Sequence, residues 1–321
     1  MPAYVMAYVY TDLLQFVGPV QSALREAFGW KRGDYWFPEI RSLGGAATMF
    51  ICALYPYVYL LARTAFLERG SGTFEAARSL GLSPWAAFRR VALPLARPAV
   101  AAGVALVLME TLADYGTVAY FAVPTFTTGI YRAWFALGDR IAAAQLAGAL
   151  LAFVLCLLVL ERISRGRARF HETGRRRGER RALQGWQAWA ASLACLLPLL
   201  LGFLLPGGLL LGLALEEGDS TFGFRYGVLA GNSLLVAGIS ALLAVALAVL
   251  LAYAQRLSAS PVVRAVNRVV ALGYAVPGSV IAVGVLIPVS RLDHWLAARW
   301  LDWFGHHPGL LLTGGIAALL Y

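Results

Sequence analysis

Two acids stand four residues apart in the apolar run "VALVLMETLADYG". On a helix, Glu110 and Asp114 share a face one turn apart. A carboxylate pair at membrane depth is costly and is a default candidate for proton or ion handling. A second reading places both near the end of the span, hydrated or paired with arginine. Asp12 is similar and leans to that reading, because it nears a loop. Tyr115, Tyr120 and Tyr131 add phenolic oxygens close to the pair. His306 and His307 in "GHHPG" invite a metal, but a loop pair with no third ligand nearby is a weak site. Cys52, Cys156 and Cys195 lie in apolar runs without a C-x-x-C spacing and read as small buried hydrophobes. Lys31, the only lysine, sits in "GWKRGDYW", which is not a G-x-x-x-x-G-K-[ST] phosphate loop. Neither H-E-x-x-H nor G-x-S-x-G occurs. An intrinsic enzyme is not expected, nor is a metal or cofactor bound by the chain itself.

The elements that position these groups follow from composition. The chain has 321 residues, 60% hydrophobic, with a mean hydropathy of +0.69, above the roughly half-apolar usage of soluble domains. Apolar runs fall near 1–17, 43–67, 96–121, 141–161, 187–213, 228–254, 264–290 and 308–321. Lipid offers no partner to backbone polar groups, so spanning segments must be helices or a closed barrel. The runs are long and continuous rather than alternating over about ten residues, which selects helices. The expected fold is an all-α polytopic transmembrane bundle of about eight spans. The first and last of these look cut short within a membrane helix.

Formal net charge is +10, but the charge is sorted by loop. Segment 63–98 holds six arginines against two glutamates. Segment 161–185 holds nine against three, and 255–268 holds three with no acid. The intervening loops are close to neutral or acidic. This alternation is the positive-inside pattern. It places 63–98 and the Arg-rich stretch in the cytoplasm and argues against a nucleic-acid partner. The stretch "ERISRGRARFHETGRRRGERRALQGW" reads as a solvated tether. It divides the chain into 1–163, a linker at 164–186, and 187–321. A weak internal repeat supports the division: Pro38 and Pro308 are each followed six and seven residues later by Gly-Gly.

Between two apolar runs lies "FEAARSLGLSPWAAFRRVALPLARP", Phe74 to Pro98. Thr73–Leu80 is predicted helical, with Gly81 as its stop. Ser83 is predicted to cap a second helix, about Pro84 to Val91, with Pro84 at its first position. Trp85 and Phe88 share one face, and Arg89 and Arg90 lie toward another. Pro94 is expected to end this helix, and Pro98 to lie at the start of the next span. The result is a bracket offering aromatic and basic groups. It could lie on lipid headgroups or dock on another protein.

The spacing resembles the EAA loop of ABC-importer permeases. That pattern is Glu-Ala-Ala, three residues, Gly, nine residues, an aliphatic, one residue and Leu-Pro. Here it is Glu75, Ala76, Ala77, Gly81, Val91, Leu93 and Pro94, with Val where Ile is common. The stretches "DYWFPEIRSL", "ALYPYVYLLARTAFL", "METLADYGTVAYF" and "TFTTGIYRAWFALGD" look like the ferric-iron branch, whose members often fuse two permease halves. The likeness covers most of the chain. It departs where the early spans of the first half and everything after the eighth span, including a second EAA loop, are missing.

The resemblance implies several things. Glu75, Ala76, Ala77 and Gly81 would form the bracket, and Ser83 to Arg90 the coupling helix, docked on a separate ATP-binding subunit, itself a homodimer. ATP and Mg would belong to that partner. A periplasmic solute-binding protein would deliver cargo at a bacterial inner membrane. Ferric iron is the expected cargo. Molybdate, sulfate, thiamine or a polyamine are alternatives, as are a non-functional truncated remnant and a secondary carrier. Glu110, Asp114 and Tyr115 are candidates for the translocation path. Ferric iron is a hard ion suited to oxygen ligands, yet Tyr is also enriched at membrane interfaces for amphipathic reasons. No tight metal site is expected, since a path must also release.

Overall fold

The computed structural model describes residues 1–31, 33–69, 71–165, 183–216, 224–258, 260–273, 276–306, 309–310 and 312–313. Its elements are α1 (Ala3–Leu14), α2 (Pro19–Phe28), α3 (Leu43–Arg69), α4 (Ser71–Ser79), α5 (Pro84–Ala87), α6 (Leu93–Ala113), α7 (Gly116–Tyr120), α8 (Phe126–Tyr131), α9 (Arg140–Arg165), α10 (Trp186–Leu199), α11 (Leu205–Glu216), α12 (Phe224–Leu257), α13 (Pro261–Leu272) and α14 (Gly278–Phe304). Single π-helical turns follow α5, α8 and α10. No strand occurs among the described residues. The fold is all-α, as its long Leu-, Ala- and Val-rich runs require in lipid.

Six helices are long and apolar enough to cross a bilayer among the described residues: Leu43–Leu67, Pro84–Ala113, Arg140–Ile163, Trp186–Glu216, Tyr226–Leu257 and Gly278–Phe304. Three expectations differ in detail. The run at 1–17 holds the short helix α1, 12 residues long. The run at 264–290 is not one span. It breaks between α13 and α14, and the helix that follows runs on past 290, the expected end of the run, as far as Phe304. The cause is Pro277, which has no N–H to donate and pushes the preceding residue out of the helical region. It stands extended (φ −57°, ψ 139°) as the N-cap of α14. Most of the eighth run, most of the linker and the second Gly-Gly of the repeat lie outside the described residues.

Contacts divide the chain into two compact units. One comprises Met1–Arg132 with Ala152–Leu213, the other Ala133–Leu151 with Ala214–Tyr321. The core of the first gathers Met6, Ala7 and Tyr10 of α1, Ala46, Met49 and Phe50 of α3, and Val118 and Phe121 around α7. The hydroxyl of Tyr10 donates to the carbonyl of Leu201 at 2.6 Å, satisfying a phenol that is otherwise buried. Helices α3 and α6 pack closely because Gly103 is buried between them. A Cβ added there would lie 2.7 Å from the Cα of Val58. In the second unit, Asp293 is fully buried within α14. One of its oxygens accepts from the amides of Leu312 (3.1 Å) and Thr313 (2.8 Å) and from the Thr313 hydroxyl (2.7 Å). A buried carboxylate of this kind requires such donors.

Candidate functional site

The bracket at 71–94 is built by local signals. Helix α4 ends in a Schellman arrangement. The amide of Leu82 reaches back to Ala77 O at 3.2 Å, and that of Gly81 to Arg78 O at 3.0 Å. Gly81 adopts φ +89°, which a side chain strongly disfavours. Two residues on, Ser83 stands extended and its Oγ accepts from the Ala86 amide at 3.3 Å. Pro84 fills the first helical position, where an N–H would be unpaired anyway. The predicted stop, cap and second helix are therefore all present.

Beyond Arg90 the geometry differs from expectation. Pro94 does not end the second helix, and Pro98 does not begin a new one. Helix α5 passes through a π turn, Phe88–Ala92, directly into α6. The amide of Leu93 bonds to Phe88 O, five residues back. The widened turn ends just before Pro94, whose ring would otherwise meet the carbonyl four residues earlier. The second arm of the bracket and the following apolar span are thus one helix, Pro84–Ala113.

The arms of the bracket touch each other. Ala77 and Ala87 are buried there, while Glu75, Ala76, Ser83, Pro84, Arg89, Leu93 and Pro94 are exposed. Phe88 packs against Phe66 of α3 (ring centroids 5.9 Å) and stacks under Trp85 (5.6 Å, 22°). Trp85 is 66% exposed and Leu80 86%. Two large apolar groups are thus held outward beside Arg89 and Arg90 on a preformed frame.

The acids part company. Glu110 is half-buried inside α6. Asp114 lies past the end of that helix, at φ −67° and ψ 133°. Its carboxylate accepts from the Thr117 amide (2.9 Å), the Thr117 hydroxyl (3.1 Å) and the Val118 amide (3.2 Å), capping α7. Its carbonyl accepts from the Thr127 hydroxyl at 2.7 Å, tying in α8. Tyr115 stacks on Tyr131 with centroids 4.0 Å apart. Tyr120 lies beneath the Arg41 guanidinium, 5.3 Å from its ring centre.

His306 is engaged locally. Its Nδ1 bonds to Phe304 O at 3.1 Å, and its Nε2 accepts from Trp300 at 3.4 Å. His307 lies outside the described residues. Among the described residues no group of three His, Cys, Asp or Glu side chains could hold a metal ion. Sequence reasoning missed Asp293. Its signal was an acid inside an apolar helix, as at Glu110, but the run had been read as ending before it.

An all-helical chain with six helices long and apolar enough to cross a bilayer, and a preformed bracket between two of them, defines a multi-pass membrane protein. Residues 1–165 match the family described as "binding-protein-dependent transport system inner membrane component", and the chain belongs to that family. It is 24% identical to the Fe(3+)-transport system permease protein FbpB 2 of Haemophilus influenzae over 253 residues, 75% of this chain and 49% of that protein. It is 36% identical over 80 residues to the sulfate transport system permease protein CysT of Escherichia coli, 25% of this chain and 28% of that one. A probable sulfate permease, cysT of Chlorokybus atmophyticus, is 36% identical over 78 residues, 24% of this chain and 27% of that one. The chain thus spans about half the length of FbpB 2. No solved structure matches it.

Proposed function

We propose that this chain forms part of the permease of an ATP-driven importer and that its bracket is the grip for a separate ATP-binding subunit. One observation carries this reading: Trp85 and Leu80 project from a frame locked at Gly81 and Ser83 and continuous with a membrane span. Exposed aromatic and arginine groups on a rigid element are the usual anchors of protein interfaces. Nucleotide and Mg would sit on that partner, and the bracket and the Arg-rich linker would face the cytoplasm of a bacterial inner membrane. A periplasmic binding protein would supply cargo at the opposite face.

Ferric iron is the preferred cargo, supported by the likeness to FbpB 2 over three quarters of the chain. Sulfate is the second reading, favoured by the higher identity to two sulfate permeases over shorter stretches. The test uses the full chain in cells with its ATP-binding subunit and binding protein, following uptake of radiolabelled ferric iron and of sulfate. Trp85→Ala should abolish uptake of the true cargo at unchanged membrane abundance. Uptake equal to wild type in that variant would refute the docking role.

A further inference from the structure

A groove of about 760 Å³ lies in the second unit, between the start of α9 and the middle of α14. It sits at the end of α9 remote from the Arg-rich linker. Arg140, Gln145, Ser290, Arg291 and His294 line it, together with apolar groups. No carboxylate does. The two nearest acids in sequence are turned to other work. Asp139 accepts from the amides of Ile141 (3.0 Å) and Ala142 (2.9 Å), capping α9. Asp293 is buried and holds the turn at Leu312 and Thr313. Among the described residues neither arginine has a carboxylate partner. Arg140 instead lies over Trp134, 5.8 Å from its ring centre. His294 Nδ1 donates to Ser290 O at 2.7 Å, because a carbonyl can only accept. In that tautomer Nε2 bears the ring's lone pair and accepts, so anion recognition in the groove falls to the arginines and the neutral donors.

Two guanidiniums, an amide and a hydroxyl thus offer donors to one concavity with no opposing charge. Guanidinium forks match the geometry of tetrahedral oxyanions, and charge assistance makes such bonds the stronger kind. We propose that this groove is an oxyanion site, taking a phosphate- or sulfate-type group. The group could belong to a free solute or to an anionic lipid headgroup; the chemistry is the same.

The test uses the full chain in phosphatidylcholine nanodiscs, with and without phosphatidylglycerol. Binding of radiolabelled sulfate and of inorganic phosphate is measured, and retained lipid is identified by native mass spectrometry. If the ligand is a free solute, sulfate or phosphate saturates the protein in the neutral bilayer. If it is a headgroup, phosphatidylglycerol is retained and displaces the free anion. In either arm, Arg140→Gln with Arg291→Gln weakens binding by about tenfold or more, and Arg140→Lys with Arg291→Lys restores part of it. Equal affinity in wild type and the glutamine variant overturns the proposal. So does the absence of saturable binding by wild type in both bilayers, a measurement that needs no variant to fold.

Discussion

The carboxylate of Asp114 accepts both the amide and the hydroxyl of Thr117, at 2.9 and 3.1 Å, and Thr117 is itself fully buried. An acid placed by sequence at membrane depth is thereby a helix cap as well. Replacing it with Ala leaves the buried amides of Thr117 and Val118 without their acceptor, at about 1–3 kcal/mol each. Asp114→Ala should therefore lower the thermal midpoint of the purified protein markedly. Asp114→Asn keeps an accepting oxygen and should remain within about 1 kcal/mol of wild type. Loss of uptake in the Asn variant at unchanged stability would assign the charge itself to the path.

Gly81 gives a second prediction. The space around its α-carbon is open, so a substituent there meets no neighbour. The penalty of substitution is conformational only, about 1–2 kcal/mol for an ordinary residue at this φ and less for Asn. Gly81→Val should distort the bracket and sharply reduce uptake while membrane insertion persists. Gly81→Asn should retain a substantial part of it. Equal loss in both variants would contradict a purely backbone role.

Ser83 is the cap of the segment that carries Trp85. Ser83→Ala should cost about 1 kcal/mol and Ser83→Thr considerably less. The readout is amide exchange at 85–87, expected to accelerate in the Ala variant and not in the Thr variant. Unaltered exchange in both would show that packing of Phe88 alone holds the turn.

Gly103 tests the packing beneath. Even Gly103→Ala places a methyl carbon 2.7 Å from the Val58 backbone. Backbone cannot yield as a flexible side chain can. We expect about 1–3 kcal/mol of overpacking strain, seen as a lower thermal midpoint. Gly148, with nothing near its added Cβ, is the control: Gly148→Ala should be neutral or slightly stabilising.

The parts legible in the sequence are those set by neighbours along the chain. Gly81, Ser83 and Pro84 each declare a local conformation, and the span at 43–67 is marked by composition alone. What escaped depends on partners or on backbone compromise. Pro94 reads as a helix end because its ring normally clashes with the preceding turn. The π turn at Phe88–Ala92 removes that clash and keeps the helix whole. Asp114 was seen as an acid, but its capping role needs the chain to turn back at Tyr115. The tie from Asp293 to Thr313 spans 20 residues and has no periodic signature.

Continuity through that π turn has a mechanical consequence. By helical rise, Trp85 lies about 27 Å from Gly103 along the axis, and Ala113 about 15 Å beyond it. At Gly103 this helix packs directly against the backbone of α3 at Val58. A rod pinned there is a lever with unequal arms. A swing at the Trp85 end reappears at the Ala113 end reversed in direction and reduced to roughly half its size. The capped corner at Asp114, which begins where the short arm ends, is therefore the point that would receive the stroke.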